Sequence, residues 1–377
     1  MAQLLVGIDP HKRSVTVGVI DPVGVAVATA SFDNCSEGIA ALLAWVARLP
    51  GQVLRVGVEG SAGHGRHAAV ALVGAGYDVR EVPARRTAQR RRARRRPKTD
   101  IEDAVAIARA TAAEPSLGPV KPGRSHSAAH EELAVVRAHR TMLVGRRQVM
   151  LNHAEAVLAA LPHEYTDTLP AAKKVWPRLT ALTALAGPTA SRLGRSASAS
   201  ASAAVAAQLA LLVELHGDIG ELDRRIRKLD KRMAELITAC GSTLLDEHGI
   251  GVVGAAALLV EVDDPTRFRS ESAFNRWWGG APVAVSSGEG HQTPVRHRLD
   301  LLGNRTINQV IYTMSITQSR THPDARDYLA RKRGEGKTPK EARRAHKSLL
   351  GRRIIRRMWN DHHRQHKTPT TPQPDAA

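Results

Sequence analysis

Leu4-Leu5-Val6-Gly7-Ile8-Asp9 opens a region, residues 3 to 31, that reads as three strands in quick succession. The first is Leu4 to Ile8, the second Val15 to Ile20 and the third Val23 to Ala30, with Asp21-Pro22 and Gly24 supplying turn chemistry between them. Working outward, a helix of Ser36 to Ala47 follows, and Val53 to Val58 is a fourth strand running into Glu59-Gly60. A helix from about Gly65 to Val73 and a short strand, Tyr77 to Val82, come next. Thr99-Asp100-Ile101-Glu102 has the form of a capping box, so Asp100 starts a helix that continues through Ala108.

Three strands and then alternating helix and strand is the element order of a ribonuclease-H-like α/β domain. Asp9 ends the first strand and Glu59 the fourth, and open α/β sheets place ligands at the carboxyl ends of their strands. Asp100 and Asp103 share a helix face, being three residues apart. One acid in such a place is ordinarily a turn-former or a cap. Four of them, Asp9, Glu59, Asp100 and Asp103, repel one another when ionised, and Mg²⁺ or Mn²⁺ held by oxygen ligands relieves that repulsion. Two such ions, roughly 3.5 to 4 Å apart, suit an in-line phosphoryl displacement.

Charge points to the partner. The chain has 377 residues with 55 Lys plus Arg against 36 Asp plus Glu, a formal net charge of +19. Such a balance makes nucleic acid the leading partner class. Between Arg85 and Lys98 stand Arg90, Arg91, Arg92, Arg94, Arg95, Arg96 and Lys98, a run suited to phosphate contacts through counterion release, although charge runs are also common as solvated tails. Aromatic residues are only 3%, which argues against recognition by many base-stacking platforms. The sequence shows no apolar run of transmembrane length, signal peptide or lipidation motif, so no membrane is expected and a cytoplasmic location follows. Cys35 and Cys240 lack metal-ligand spacing and read as reduced thiols.

The rest of the chain reads as mostly helical. Residues 114 to 124 are a Pro- and Gly-rich linker, and Ser127 to Leu161 is a long basic helix. Ser196 to Ala206 is a low-complexity join. Leu212, Leu215, Ile219, Leu222, Ile226, Leu229, Met233 and Leu236 alternate three and four apart, a heptad seam that suits either an intramolecular hairpin or a dimerisation coil. Gly249-Ile250-Gly251 before a small-residue helix has the look of a helix-hairpin-helix, where glycines let backbone N–H groups approach a phosphate, although Gly-x-Gly is also a common tight turn. Phe268, Phe274, Trp277 and Trp278 read as core. A small-residue loop holds Ser286-Ser287-Gly288, Asn304-Arg305 starts another helix, and Thr338 to Trp359 is a basic helix carrying Arg352, Arg353, Arg356 and Arg357.

Together these stretches resemble the DEDD transposases of the insertion-sequence 110 family, relatives of the Piv DNA invertase. The resemblance rests on Gly7-Ile8-Asp9-Pro10-His11-Lys12, Val58-Glu59-Gly60 and Lys98 through Ala104, then on Gly249-Ile250-Gly251, Phe274 through Pro282, Ser286-Ser287-Gly288, Gly303-Asn304-Arg305 and Gly336 through Ala342. It implies a RuvC-like amino-terminal domain whose acids, here Asp9, Glu59, Asp100 and Asp103, bind Mg²⁺ (or Mn²⁺). It further implies a carboxy-terminal transposase domain supplying a serine nucleophile, Ser287 or, alternatively, Ser286. A bridge RNA as guide, DNA element ends and target as substrates, and a dimer or tetramer acting at the nucleoid are also implied. His248 stands where the family's hairpin has proline. The nucleic-acid contacts expected are the 90 to 98 run, Gly249, Gly251, Asn304, Arg305, Arg352, Arg353, Arg356 and Arg357.

The expected organisation is therefore α/β plus α. Residues 1–113 form the RuvC-like domain, 114–206 a linker and basic helical region, 207–240 a coiled-coil helix, 241–360 the transposase domain and 361–377 a disordered tail. Three rival readings are a RuvC-like nuclease or junction resolvase using water, a sugar-kinase or actin-like ATPase, and a non-catalytic nucleic-acid-binding coiled-coil protein. The second lacks the Gly and Ser/Thr residues of its phosphate loop, since Pro10-His11-Lys12-Arg13 follows Asp9. A zinc site at His64, His67 or the His362, His363, His366 cluster lacks cysteine partners.

Overall fold

A computed structural model describes residues 2–83, 99–115, 117–121, 127–167, 169–184, 203–285, 296–299 and 303–366. It divides into two compact units, one of residues 1–127 with 241–377 and the other of residues 128–240. This grouping differs from the expected split at 206/207, because the two long helices of the second unit are packing partners.

The first unit begins with a five-stranded sheet of β1 (Gln3–Pro10), β2 (Ser14–Ile20), β3 (Ala26–Asp33), β4 (Gln52–Glu59) and β5 (Val79–Val82), ordered β3-β2-β1-β4-β5. β1, β2 and β3 pair antiparallel, whereas β4 is parallel to β1 and β5 parallel to β4. An antiparallel meander joined to a parallel half is the ribonuclease-H-like arrangement expected from the element order. β3 starts three residues later than its sequence suggests. The Asp21 carboxylate accepts hydrogen bonds from the N–H groups of Val23 and Val25 (3.1 and 2.8 Å), so residues 21–25 are spent on a turn.

Alternation along the strands sends their side chains to two faces. Leu4, Val6, Ile8, Val15, Val17, Val19, Val56 and Val58 pack beneath α1 (Ser36–Ala47) and α2 (Arg66–Gly74). The opposite face carries α3 (Asp100–Ala113), and here the sheet offers glycine. Gly7 pairs in register with Gly18 on β2 and Gly57 on β4, a row three strands wide. A Cβ at Gly7 would stand 2.2 Å from the Ala104 carbonyl oxygen and the Ala108 nitrogen, and one at Gly57 would stand 1.8 Å from Thr111 Oγ1. The row therefore lets the α3 backbone lie directly on the sheet. Gly7 shares its face with Asp9, and Gly57 with Glu59.

Residues 117–121, expected within a linker, are folded against β5. Glu81 N–H donates to Gly118 O (2.9 Å), Val120 N–H donates to Val79 O (3.2 Å), and Val120 is buried in the sheet core. The Pro and Gly content that suggested a loop is compatible with an edge strand that makes few ladder bonds.

The carboxy-terminal part of the first unit contains α6 (Val252–Val262), α7 (Glu271–Trp277), the hairpin β6 (Pro282–Val285) and β7 (Arg296–Leu299), α8 (Arg305–Thr321), α9 (Pro323–Gly334) and α10 (Pro339–His366). Its core centres on Trp278. That indole donates to Asn275 Oδ1 (2.9 Å), and Cβ atoms at Gly280, Gly303 or Gly351 would stand within 3 Å of Trp278. Phe268 and Phe274 are buried with it, as expected. α10 continues through His366, so residues 361–366 of the expected tail are helical, and Asp361 is buried with its carboxylate accepting from Thr243 N–H (2.8 Å). Residues 367–377 lie outside the described residues. In the expected helix-hairpin-helix the first limb is one 3-10 turn, Leu244–Asp246, followed by Gly249 at φ +85° and α6.

The second unit is built on α4 (Ala128–Ala159) and α5 (Ala203–Ala239). The apolar seam of α5 faces α4: Leu222 and Ile226 pack with Leu143, while Leu212, Leu215 and Ile219 cluster with Ala154 and Leu158. The pairs descend along one helix as they rise along the other, so the helices are antiparallel. Arg140–Asp230 and Arg147–Asp223 (both 2.5 Å) and Arg232–Glu132 (2.7 Å) flank the seam. Of the two arrangements the seam suits, the intramolecular pair is present. By length and composition alone α5 is long and apolar enough to cross a membrane, which corrects the expectation that no run of that length exists. Its apolar seam packs instead on α4. α5 begins at Ala203, four residues before the expected start, because Ala203 to Ala206 are good helix formers or tolerated in a helix.

Candidate active site

The four predicted acids are brought to one end of the sheet by three elements. β1 ends at Asp9-Pro10 and the parallel β4 at Glu59, with Ile8 beside Val58 in register, so the two carboxyl ends lie side by side. α3 arrives with its first turn over them. Thr99 caps it, its Oγ1 accepting from Glu102 N–H at 3.2 Å, as the capping-box reading predicted. Asp100 then occupies the first position of the helix and Asp103 the next position on the same face. The contact of Gly7 with Ala104 and Ala108 sets the height of that turn above Asp9.

Asp9 and Asp103 are buried and Asp100 is exposed. Burial pushes the Asp9 carboxyl above its ordinary value. The imidazole of His11 opposes that shift, and the negative charges of Asp103, Glu59 and Asp100 add to it. The other three acids thus all act on Asp9. The Asp9 Oδ2 atom is buried without a hydrogen-bond partner. Buried carboxylate oxygen in a cluster of like charge, at the carboxyl edge of a sheet, is the donor set a hard divalent cation takes. The residues present therefore fit such an ion.

Two residues of this region went unassigned in the sequence reading. His11 Nε2 lies 3.3 Å from Asp9 Oδ2 and 3.4 Å from Asp100 Oδ1. Glu81, on β5, is a fifth carboxylate. The Ser61 hydroxyl donates to it, and burial pushes its pKa up to about 7 against the opposing bonds from the Ser61 and Gly60 backbone and the charge of Arg267. His11 stands two residues from Asp9 and was legible as a neighbour, whereas Glu81 in a short strand gave no signal.

Arg267 comes from the carboxy-terminal part. Its guanidinium donates to Pro119 O (2.9 Å) and Glu261 O (3.1 Å) and lies over the rings of Phe268 and Trp277 at 4.7 and 4.9 Å. Burial lowers its pKa to about 10. Lys121 Nζ donates to Val260 O (2.6 Å) in the same region. The segment after α3 is thereby tied to α6 and the turn that follows it.

The remaining predicted residues fall in other places. Ser286, Ser287, Arg90, Arg91, Arg92, Arg94, Arg95, Arg96 and Lys98 lie outside the described residues. Gly251 precedes α6 in extended conformation, and Gly249 lies against Met314. Asn304 caps α8, its Oδ1 accepting from Ile307 N–H (3.0 Å) and its Nδ2 donating to Glu261 (3.2 Å), while Arg305 and Arg352 are exposed. Arg353 and Arg357 pair with the buried Glu247, and Arg356 pairs with Glu271 (2.7 Å). Glu247, Arg353, Arg356 and Arg357 line, with Asp361 and Arg364, a cavity of about 430 Å³.

A family model for the DEDD transposases of IS110, described as a transposase, matches residues 6–161. A second, for the transposase IS116/IS110/IS902 family, matches residues 241–330. The chain belongs to the IS110 transposase family. The first match contains all four acids and the second the serine loop. Among curated relatives of this IS110-family chain, "Putative transposase y4pF/y4sB" of Sinorhizobium fredii (strain NBRC 101917 / NGR234) is 30% identical over 119 residues, 29% of each chain. "Insertion element IS110 uncharacterized 43.6 kDa protein" of Streptomyces coelicolor (strain ATCC BAA-471 / A3(2) / M145) is 31% identical over 121 residues, 31% of this chain and 28% of that one. The matched stretch thus spans less than a third of either relative. Among solved structures, T. thermophilus RuvC in complex with Holliday junction substrate aligns with 16% identity and a TM-score of 0.26, covering 31% of this chain and 99% of that one.

Proposed function

We propose that this IS110-family chain is a DNA transposase that cuts and rejoins DNA through a serine nucleophile, Ser287 with Ser286 as the alternative, assisted by Asp9, Glu59, Asp100 and Asp103. The observation that carries the reading is the convergence of the four acids at one sheet end, felt at Asp9 as mutual repulsion on top of burial. Held by these carboxylates, Mg²⁺ or Mn²⁺ supplies positive charge where negative charge develops on phosphate oxygens.

In this reading the serine Oγ attacks a DNA phosphorus. A bond from oxygen to phosphorus forms as the bond to a deoxyribose oxygen breaks, and the departing oxygen takes up a proton. A DNA hydroxyl later displaces the serine and restores the phosphodiester. Asp9 and Glu59 are held by the sheet and Asp100 and Asp103 by the capped helix start, so the acids keep their mutual positions through both steps. The arginines of the 90 to 98 run and Arg305, Arg352, Arg353, Arg356 and Arg357 contribute backbone contacts, in keeping with a net charge of +19. Gly249 and Gly251 present backbone N–H groups to a phosphate, and α5 supplies the coiled-coil helix. A bridge RNA guides donor and target DNA, and the enzyme works in the cytoplasm at the nucleoid as a dimer or tetramer.

The test is a trapping assay on element-end DNA with the full chain. Wild type should form a covalent protein–DNA adduct, Ser287→Ala should form none, and Asp103→Asn should form very little. Strand cleavage by Ser287→Ala at the wild-type rate would replace this reading with a nuclease that uses water. An adduct lost only in Ser286→Ala would move the nucleophile by one residue.

A further inference from the structure

We propose that His11 is a ligand of the amino-terminal metal site through Nε2, giving a site otherwise made of oxygen a nitrogen donor and biasing it toward Mn²⁺ over Mg²⁺. The proposal rests on the reading of the four acids as a metal site and adds to it a residue outside that set.

The backbone at His11 is pinned from two sides. His11 N–H donates to Ser14 O (2.7 Å), closing the β1–β2 turn, and the Asn34 amide, just past β3, donates to His11 O (2.8 Å) and to His64 O (3.0 Å). The imidazole is thereby directed back over the end of β1. One donor atom each from Asp9, His11 and Asp100 lie within 4.8 Å of one another, with Nε2 3.3 and 3.4 Å from the two carboxylate oxygens. Metal–oxygen bonds of about 2.1 Å, as in octahedral sites, put neighbouring donors about 3 Å apart, so these spacings need little adjustment to close on one ion.

The Asp9 oxygen nearest His11 provides an independent observation. Oδ2 is buried, Asp9 being only 9% exposed, and it has no hydrogen-bond partner although Nε2 is 3.3 Å away. An imidazolium serving as counter-ion would aim its N–H at that oxygen. Here ring nitrogen and carboxylate oxygen instead stand side by side, as two ligands of one cation do. Imidazole nitrogen is a poorer partner for Mg²⁺, which favours oxygen, than for transition ions, and this difference sets the metal preference.

The experiment uses the full chain loaded with Mn²⁺ and reads electron spin echo modulation from directly bound ¹⁴N. Wild type should show it, and both His11→Ala and Asp9→Asn should lose it; the Asp9 variant guards against signals from the other histidines. Mn²⁺ affinity should fall about tenfold or more in His11→Ala, with Mg²⁺ affinity, read by competition, changing much less. His11→Asp should bind both ions without the ¹⁴N signal. A signal that persists in His11→Ala, or Mn²⁺ binding by that variant as tight as wild type or tighter, overturns the assignment and leaves His11 a counter-charge. Mn²⁺ binding that is unaffected by Asp9→Asn overturns the underlying metal reading along with it.

Discussion

Replacing Gly7 by alanine tests whether the glycine row sets the height of the acid-bearing helix. The added Cβ would stand 2.2 Å from Ala104 O and Ala108 N, where ordinary contact begins at 3.4 Å. Both obstacles are backbone, so no side-chain rotation relieves them and α3 must lift by 3.4 − 2.2 = 1.2 Å near its first two turns. Overpacking of this kind costs about 1–3 kcal/mol, a large part of the roughly 5–15 kcal/mol that holds a domain together. At roughly 2–4 °C per kcal/mol for a unit of this size, the melting temperature should fall by several degrees. Asp100 and Asp103 ride on the displaced segment. A misplacement of about 1 Å in such a site can cost on the order of a hundredfold in activity, so weaker Mn²⁺ binding and an even larger loss of adduct formation are expected. Gly74→Ala is the control. It ends α2, has no atom within 4 Å of its would-be Cβ, and should melt at or slightly above the wild-type temperature. Thermal unfolding by circular dichroism and Mn²⁺ titration check both variants. A Gly7→Ala protein with wild-type melting and metal affinity would refute the idea that direct helix-on-sheet contact positions the acids.

Two further outcomes concern the scaffold. His346 donates to or accepts from buried Ser315 (3.0 Å), and burial, with Arg353 and His322 adding, lowers its pKa to about 4, so the fold holds it neutral. The unfolded chain, titrating near 6.5, binds the proton first. Stability is therefore fully present above about pH 6.5 and is lost as pH falls toward 4, and urea melts across that window should slope less steeply for His346→Gln. Equal slopes would contradict the assignment. In the helical pair, Arg147 makes a two-pronged contact with Asp223 (2.5 and 3.2 Å), both side chains about three-quarters covered. A double-mutant cycle of Arg147→Met with Asp223→Asn should return a coupling of about 0.5–1 kcal/mol, reduced by salt, and zero coupling would show the pair to be incidental.

Much of the amino-terminal domain was legible because its signals are local. The Ser36 to Ala47 helix appeared at its predicted limits, and the Thr99 cap with Glu102 placed the start of α3 and with it the shared face of Asp100 and Asp103. Acids at two strand ends could be read together because open α/β sheets place ligands at the carboxyl ends of their strands. The start of β3 was misjudged because a side chain, the Asp21 carboxylate, competes for backbone N–H groups that composition alone assigns to a strand.

By itself the sequence determined the periodicities, caps and strand-end acids, since each depends on residues within a turn or two of one another. Tertiary structure alone decided which of these meet. It matched the α5 seam with α4, laid residues 117–121 along β5, brought Glu81 beside Ser61 and set His11 between Asp9 and Asp100. The physical reason is that such meetings depend on sheet order and on how closely helix and sheet approach. The Gly7, Gly18 and Gly57 row controls that approach, and three glycines on three separate strands carry no sign of alignment until the sheet is assembled.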